Sequence, residues 1–499
     1  MTDKFIPISK VKPISDSVLV YGHFSTIHPG HIRYLRNASK KAKNLIVLLI
    51  GDKDTSQKYH FTQKERAEGL SSIEMISKIV LLEGTELSLA ITKIKPSFLV
   101  LGKEFENTDN KLILSAIEIM KKQGGGVEFH AGLINYATSE LLIDSTETLQ
   151  NKKFTQFKEA CKRQELSLNN LLNAIDNFKN SNLIVIGDSI LDQYSACEAL
   201  GMSAEAPVVV VKELEHRNFI GGAALVAANV SSLGAKCDFI SVLGNDDNAQ
   251  TLIKSLKINN VSHHFIIDNS RSTTFKKRYM VENQKLFRVS KLNDEMLSIA
   301  IEKEMIRKLE SLAPNVDGII VSDFVYGVIT PKLLEKVYEV ANKYNLMLFG
   351  DLQCSSQVGR VTKFKEYDLL CPNEREARIA LQDKESGLEA LTQKLFKETN
   401  SQRIIMKLGA DGFIAYENNK ALNKMNSQSF PALSINPIDV SGAGDSLLSV
   451  MAVGLTCKES IMTSAAIGAC RAAIAVDTIG NYPIDKEKLK KKVIEILED

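Results

Sequence analysis

Five apolar runs in the later part of this chain follow one pattern: each is short, rich in aliphatic side chains, and stopped by Gly, Asp or Asn. They fall at 182–188, 318–323, 346–351, 368–373 and 403–409. A run of that length with almost no polar interruption reads as a strand covered on both faces. Longer stretches of helical spacing separate the runs. Alternating strands and helices of this kind build a parallel sheet, so the expected fold class is α/β. In such sheets the polar groups at successive strand ends converge on one crevice.

The stretch Asp439-Val440-Ser441-Gly442-Ala443-Gly444-Asp445 precedes an apolar helical run at 447–455. Two glycines allow close backbone approach to an anion. The N–H groups of Gly442, Ala443 and Gly444 can then point at one phosphate from a helix N-terminus. Asp445 at that position would bind phosphate poorly. It is placed to take the proton of a hydroxyl that attacks the phosphate. The plainer alternative is a glycine-rich helix start with an aspartate cap.

The first third opens with a strand at 18–21, then Gly22-His23-Phe24-Ser25-Thr26-Ile27-His28-Pro29-Gly30-His31, a helix at 32–42 and a strand at 45–50. The polar loop lies at the carboxyl end of the first strand, where parallel sheets bind nucleotides. A metal reading of His28 and His31 needs further ligands, and no nearby cysteine or acidic cluster supplies them. The other reading makes the two imidazoles hydrogen-bond donors to an α-phosphate attacked in line.

The 499 residues exceed one ordinary core, so two or three domains are expected. A net charge of +2 makes no case for nucleic acid or membrane surfaces. Seven cysteines without Cys-x-x-Cys spacing suggest reduced thiols in a cytoplasmic protein. Residues 1–17 hold no apolar core of signal-peptide length, and no apolar run reaches the ~18 residues of a membrane span. Residues 145–182 turn polar, with apolar residues at helical spacing from Leu168 to Phe178. They read as a linker followed by one or two helices that pack on the second domain, and the plainer reading is a solvated spacer helix.

Residues 18–142 resemble the cytidylyltransferase-like nucleotidyltransferases through Gly22-x-Phe24, His28-x-x-His31, Lys64-Glu65-Arg66-Ala67 and Ala137-Thr138-Ser139-Glu140-Leu141. The resemblance implies that Gly22, Phe24, His28, His31, Thr138 and Ser139 hold a nucleoside triphosphate, ATP or CTP. It also implies that Lys58 and Arg66 neutralise its phosphates. Residues 180–490 resemble the ribokinase-like carbohydrate kinases through Gly221-Gly222-Ala223-Ala224 and the stretch from Asp439 to Asp445. Together the halves are most similar to the bifunctional heptose 7-phosphate kinase / heptose 1-phosphate adenylyltransferase family, with the domain order reversed.

That resemblance implies ATP-dependent phosphorylation of a sugar phosphate at its anomeric hydroxyl and nucleotidyl transfer to a sugar 1-phosphate. Asp445 would be the base, and Gly442, Ala443 and Gly444 the anion hole. Asn373 and Glu376 would place Mg²⁺ and the ATP phosphates, with Lys407 and Gly409 near the nucleotide. Asp188, Asp192, Gly221, Gly222 and Arg288 would face the sugar. Runs at 207–211 and 274–288 would form a small β lid, through which family members form homodimers. The expected domains are 1–145, a linker and helix at 146–180, and 181–499.

The chain departs from the family pattern at Ser25, Leu225, Tyr326 and Gln353. Lysines and an amide are lost around the acceptor while the glycine turn is kept, which implies altered acceptor recognition. Lys276, Lys277, Arg278 and Arg288 are candidates for a distal phosphate. The alternatives are the same domains acting on another sugar or polyol, or a kinase with a regulatory nucleotidyltransferase domain.

Overall fold

The computed structural model describes residues 4–498 except 26, 28, 53–60, 85, 103, 104, 106, 107, 109, 131–145, 283, 355, 356 and 420–423. The chain divides into two compact units. One comprises Met1–Leu142 with Asp383–Gln393, the other Ile143–Gln382 with Lys394–Asp499.

The first unit is a six-stranded sheet of β1 (Phe5–Pro7), β2 (Ser17–Gly22), β3 (Asn44–Leu49), β4 (Lys78–Leu81), β5 (Phe98–Gly102) and β6 (Gly126–His130), in the order β1-β4-β3-β2-β5-β6. Every pairing is parallel. Successive side chains of β2 go to opposite faces, as strand geometry requires. Leu19 packs with Ile46, Leu48 and Ile91, whereas Val18 and Val20 pack with Leu35, Leu45 and Val47. Burial on both faces explains why this strand reads as an unbroken apolar run.

The second unit continues with β7 (Asn182–Gly187), β8 (Ser189–Met202), β9 (Val209–Gly222), β10 (Lys236–Leu243), β11 (Ser262–Ile267), β12 (Thr274–Val281), β13 (Gln284–Lys291), β14 (Gly318–Asp323), β15 (Met347–Leu352), β16 (Leu369–Leu370), β17 (Arg403–Lys407), β18 (Phe413–Asn419) and β19 (Lys424–Phe430). Nine of these form the main sheet, β11-β10-β7-β14-β15-β16-β17-β18-β19, and four form a lid, β13-β12-β8-β9. The main sheet is parallel from β11 to β17 and antiparallel at β18 and β19. The chain leaves the main sheet at Gly187, runs up β8, returns along β9 and enters the helix Ala223–Ser232 at Gly222. The lid is thereby anchored where the polar strand ends gather.

Of the two readings of the joint, helices packed on the second unit is the one the structure forms. Helices Thr146–Arg163 and Leu168–Asn177 set Phe157, Ala160, Leu171, Ala174, Ile175 and Phe178 into the core of the second unit. Phe157 is fully buried, its ring 6.2 Å from that of Phe430. The seven cysteines carry free thiols, and among the described residues no helix is long and apolar enough to cross a membrane.

This packing predicts that a fragment of residues 146–499 folds by itself and that Phe157→Ala costs it about 3–5 kcal/mol in denaturant unfolding. A fragment starting at 165 should be less stable still. Equal stability of the two fragments would contradict the role given to the first helix.

Candidate active site

Gly442 holds φ at +78°, a conformation that suits glycine, and caps the helix Ala443–Thr456 without any side-chain cap. The first N–H groups of this helix therefore remain to face whatever enters the turn. Asp445 lies in the first helical turn and is buried. Gln353 Nε2 donates to Asp445 Oδ1 at 2.7 Å and to Asp351 Oδ2 at 3.2 Å. Lys407 Nζ donates to the other oxygen of Asp351 at 2.8 Å. The ends of β15 and β17 thus meet the glycine turn in one line of charges. Burial, and then the Asp351 carboxylate, push the Asp445 carboxyl up to about 7, against the opposing pull of Lys407 and Gln353. Burial alone would lower Lys407, but Asp351 and Glu376 hold it above the ordinary lysine value.

The lid reaches the same turn through Asp439. Its carboxylate accepts from Tyr194 Oη at 2.7 Å, Lys285 Nζ at 2.6 Å, Ser441 N at 3.0 Å and Gly480 N at 3.3 Å. Burial would raise this carboxyl; the bonds from Lys285, Tyr194 and Ser441 prevail and bring it to about 2. Lys285 arrives there because of a bulge. The register of β12 and β13 shifts between Tyr279 and Met280, so Lys285 pairs with Met280 and Phe287 with Tyr279. The bulge turns Lys285 toward the side shared by Met280 and Arg278. Beside it Arg278 Nη1 bonds Asp192 Oδ1 at 2.5 Å, and Asn481 Nδ2 donates to Asp192 Oδ2 at 3.1 Å.

The remaining expected sugar-facing residues divide. A Cβ on Gly221 would stand 2.4 Å from Asp192 Oδ2, so its bare backbone is what admits that carboxylate. Gly222 has φ +62° and ψ −144°, and a Cβ there would meet Asp188 O at 2.5 Å. Arg288 lies exposed on β13 opposite Arg278. Asp188 is revised: its carboxylate accepts from the backbone N–H of Phe324 at 2.7 Å, and of Tyr326 and Val328 at 3.4 Å. It shapes the loop after β14. Burial, followed by the neighbouring Asp323, raises its carboxyl.

On the nucleotide side, Asn373 and Glu376 form a capping box at the start of the helix Glu374–Leu381. Glu376 also accepts from Cys354 N at 3.2 Å, so both of its oxygens are engaged by backbone. Burial raises its carboxyl, with Lys407 opposing. Gly409, at φ +64°, opens a short turn after β17, exposed and with no heavy atom near its Cβ position. Asp351 and Gln353 were not among the expected site residues, although Gln353 stood out as a departure from the family pattern.

In the first unit the loop after β2 holds Phe24 at φ +50°, its ring 5.0 Å from that of the buried His31. Gly22 fits beneath, where a Cβ would approach the Phe24 ring to 3.2 Å. Arg66 is revised as a phosphate ligand. Its guanidinium is buried and donates to His23 O at 2.5 Å, Ile50 O at 3.0 Å and Asp52 Oδ1 at 2.6 Å. It ties the loops after β2 and β3 together. Burial and the Arg66 charge lower His23 to about 4, so this imidazole is neutral at pH 7. His28, Lys58, Thr138 and Ser139 lie outside the described residues.

Comparison with known proteins finds two families in the chain, with matched ranges that overlap at 180–223. Residues 180–487 match the pfkB family of carbohydrate kinases, and residues 19–223 match the cytidylyltransferase-like family. The chain is 31% identical over 314 residues to a bifunctional protein HldE of Campylobacter jejuni, covering 62% of this chain and 64% of that one. It is 28% identical over 323 residues to a bifunctional protein HldE of Desulfatibacillum aliphaticivorans, covering 63% and 64%. The chain thus spans less than two thirds of these relatives. The second unit shares its fold with Escherichia coli phosphofructokinase-2 in complex with substrates and products, at TM-score 0.52 and 15% identity, over 63% of this chain and 99% of that one.

If Asp445 takes the proton of the acceptor, it does so only when ionised, and phosphorylation by the second unit should then lose rate tenfold per unit below pH about 7. An acid limb near pH 4, the range of an ordinary aspartate, would contradict the environment described for Asp445.

Proposed function

This chain belongs to the pfkB family of carbohydrate kinases, and from that premise we propose that its second unit transfers the γ-phosphoryl group of ATP to the anomeric hydroxyl of a sugar phosphate such as heptose 7-phosphate. The first unit joins a nucleotide, from ATP or CTP, to a sugar 1-phosphate and releases pyrophosphate. The product is a nucleotide sugar of the ADP-heptose type. The observation that carries the kinase reading is the buried carboxylate of Asp445 directly behind the uncapped turn of Gly442, Ala443 and Gly444.

The acceptor hydroxyl donates to Asp445, and its oxygen attacks the γ-phosphorus as the bond to ADP breaks. The proton ends on Asp445, whose raised affinity for it suits that task. The helix N–H groups stabilise the charge on the transferring oxygens. Gln353 fixes the orientation of the base, and the Lys407–Asp351 pair fixes Gln353. Among the described residues no group of three His, Cys, Asp or Glu forms a metal cage. The oxygens of Asp351 and Glu376 already accept from Lys407, Gln353, Cys354 and Asn373, so magnesium here would be held mainly by nucleotide phosphates and water, with these carboxylates outside its direct ligands. Magnesium there would neutralise phosphate charge.

In the first unit His31, with His28, donates to the α-phosphate as the sugar phosphate oxygen attacks and pyrophosphate leaves. The substrates are those of cytoplasmic metabolism. We also place a second copy of the chain against the outer lid face, where Phe287 and Val289 are exposed. Sedimentation at micromolar concentration should then report twice 55.2 kDa, and a 55.2 kDa species would exclude this dimer.

On the full chain, Asp445→Asn should lower sugar phosphorylation by about 10²–10⁴ while ATP binding persists. His31→Ala should lower pyrophosphate release by about 10²–10³ and leave phosphorylation unchanged. Turnover within a few-fold of the wild type in Asp445→Asn would remove the assignment of the base. Robust pyrophosphate release from His31→Ala would do the same for the histidine.

A further inference from the structure

The loop after β14 is strained. Val325, a β-branched residue, adopts φ +62°, and Gly327 adopts φ +84° where a Cβ would strike Glu295 O at 1.9 Å. Asp188 holds the loop by three backbone N–H groups, and Asp323 Oδ1 accepts from Val325 N at 2.7 Å. The result is to present the rings of Phe324 and Tyr326 to the lid. Lys276 of β12 lies over both, its Nζ 5.3 Å and 5.0 Å from the two centroids. The residue is only 3% exposed.

The other lid cations are placed differently. Lys277 Nζ pairs with Glu213 at 2.8 Å, Arg278 with Asp192 and Lys285 with Asp439, while Arg288 is exposed. Among the described residues Lys276 has no carboxylate partner and no hydrogen-bond acceptor, only the two aromatic faces. Cation–π contacts offset part of the cost of enclosing an ammonium group, not all of it. Lys276 also marks the far end of a polar line. It pairs across strands with Asp192, whose carboxylate meets Asn481, and a Cβ on Gly442 would touch Asn481 Oδ1 at 2.9 Å. One end of this line is the turn in front of Asp445, and the other is the Lys276 ammonium, set between two rings.

We propose that Lys276 is the specificity-determining residue for the acceptor: it takes the phosphate monoester at the end of the sugar remote from the reacting hydroxyl, with Phe324 and Tyr326 holding its ammonium in place. This rests on the kinase reading above. A sugar phosphate offers this ammonium an anion to pair with, and a neutral sugar does not. The loop that Asp188 shapes is then part of acceptor recognition, through backbone and aromatic faces in place of a carboxylate on the sugar.

The test compares the full chain with Lys276→Met, which keeps the aliphatic packing, and Lys276→Arg, which keeps the charge. Acceptors are a heptose 7-phosphate and the corresponding free heptose. The wild type should prefer the phosphate in kcat/KM by about 10² or more. Lys276→Met should bring that ratio to within a few-fold of unity through KM, Lys276→Arg should restore much of it, and KM for ATP should stay fixed in both. An unchanged ratio in Lys276→Met, or a change in KM for ATP in place of the sugar phosphate, overturns the proposal. Absence of phosphorylation by the wild type on either acceptor would instead remove the kinase reading. In that case protection of Lys276 from acetylation by heptose 7-phosphate, but not by free heptose, still decides the subsite.

Discussion

The contact between Lys407 and Asp351 governs the kinase site. Asp351 is enclosed at the end of β15 and Lys407 at the end of β17, so neither charge is tolerable without the other. Their pairing leaves one oxygen of Asp351 for Gln353, and Gln353 in turn fixes Asp445. Removing Lys407 would leave three carboxylates, those of Asp351, Glu376 and Asp445, with their mutual repulsion unopposed. The base could then be ionised only at higher pH. The sheet matters to function because it holds the two strand ends in register.

The lid is coupled to the same turn through a different carboxylate. Asp439 collects a phenol, an ammonium and two backbone N–H groups from β8, β13 and the segments flanking the glycine turn. A bulge in β13 is what brings the ammonium there. Lid position and turn geometry are therefore linked by bonds that form together. Such a link suits a reaction that must exclude water from a transferring phosphoryl group.

Much of this was legible in the sequence. The glycine-rich helix start that carries Asp445 is read from the sequence, and the structure forms it, with Gly442 in the left-handed region. The α/β class follows from strands that are apolar on both faces. What spacing does not reveal is the partner of a polar side chain. Asp188 and Arg66 sit at strand or helix ends where a ligand contact is plausible, yet Asp188 accepts from backbone N–H groups of a neighbouring loop, and Arg66 donates to two backbone carbonyls and the Asp52 carboxylate. Asn373-x-x-Glu376 carries the pattern of a capping box as clearly as that of a nucleotide site, and the structure forms the box. Gln353 was visible only as a departure from the family pattern. Its bond to Asp445 depends on a crossing of β15 and the helix Ala443–Thr456 that no local pattern encodes. The apolar spacing of 168–178 announced a helix, whereas the packing of the helix Thr146–Arg163 on β19 is a tertiary outcome.

The account stands or falls on where phosphate goes. Full-length protein, magnesium, ATP and heptose 7-phosphate can be followed by ³¹P NMR. The account predicts a new phosphate ester coupled to the anomeric proton, appearing in step with ADP and with the original ester intact. ATP conversion to ADP and inorganic phosphate alone, or a new ester at any other carbon, would contradict it.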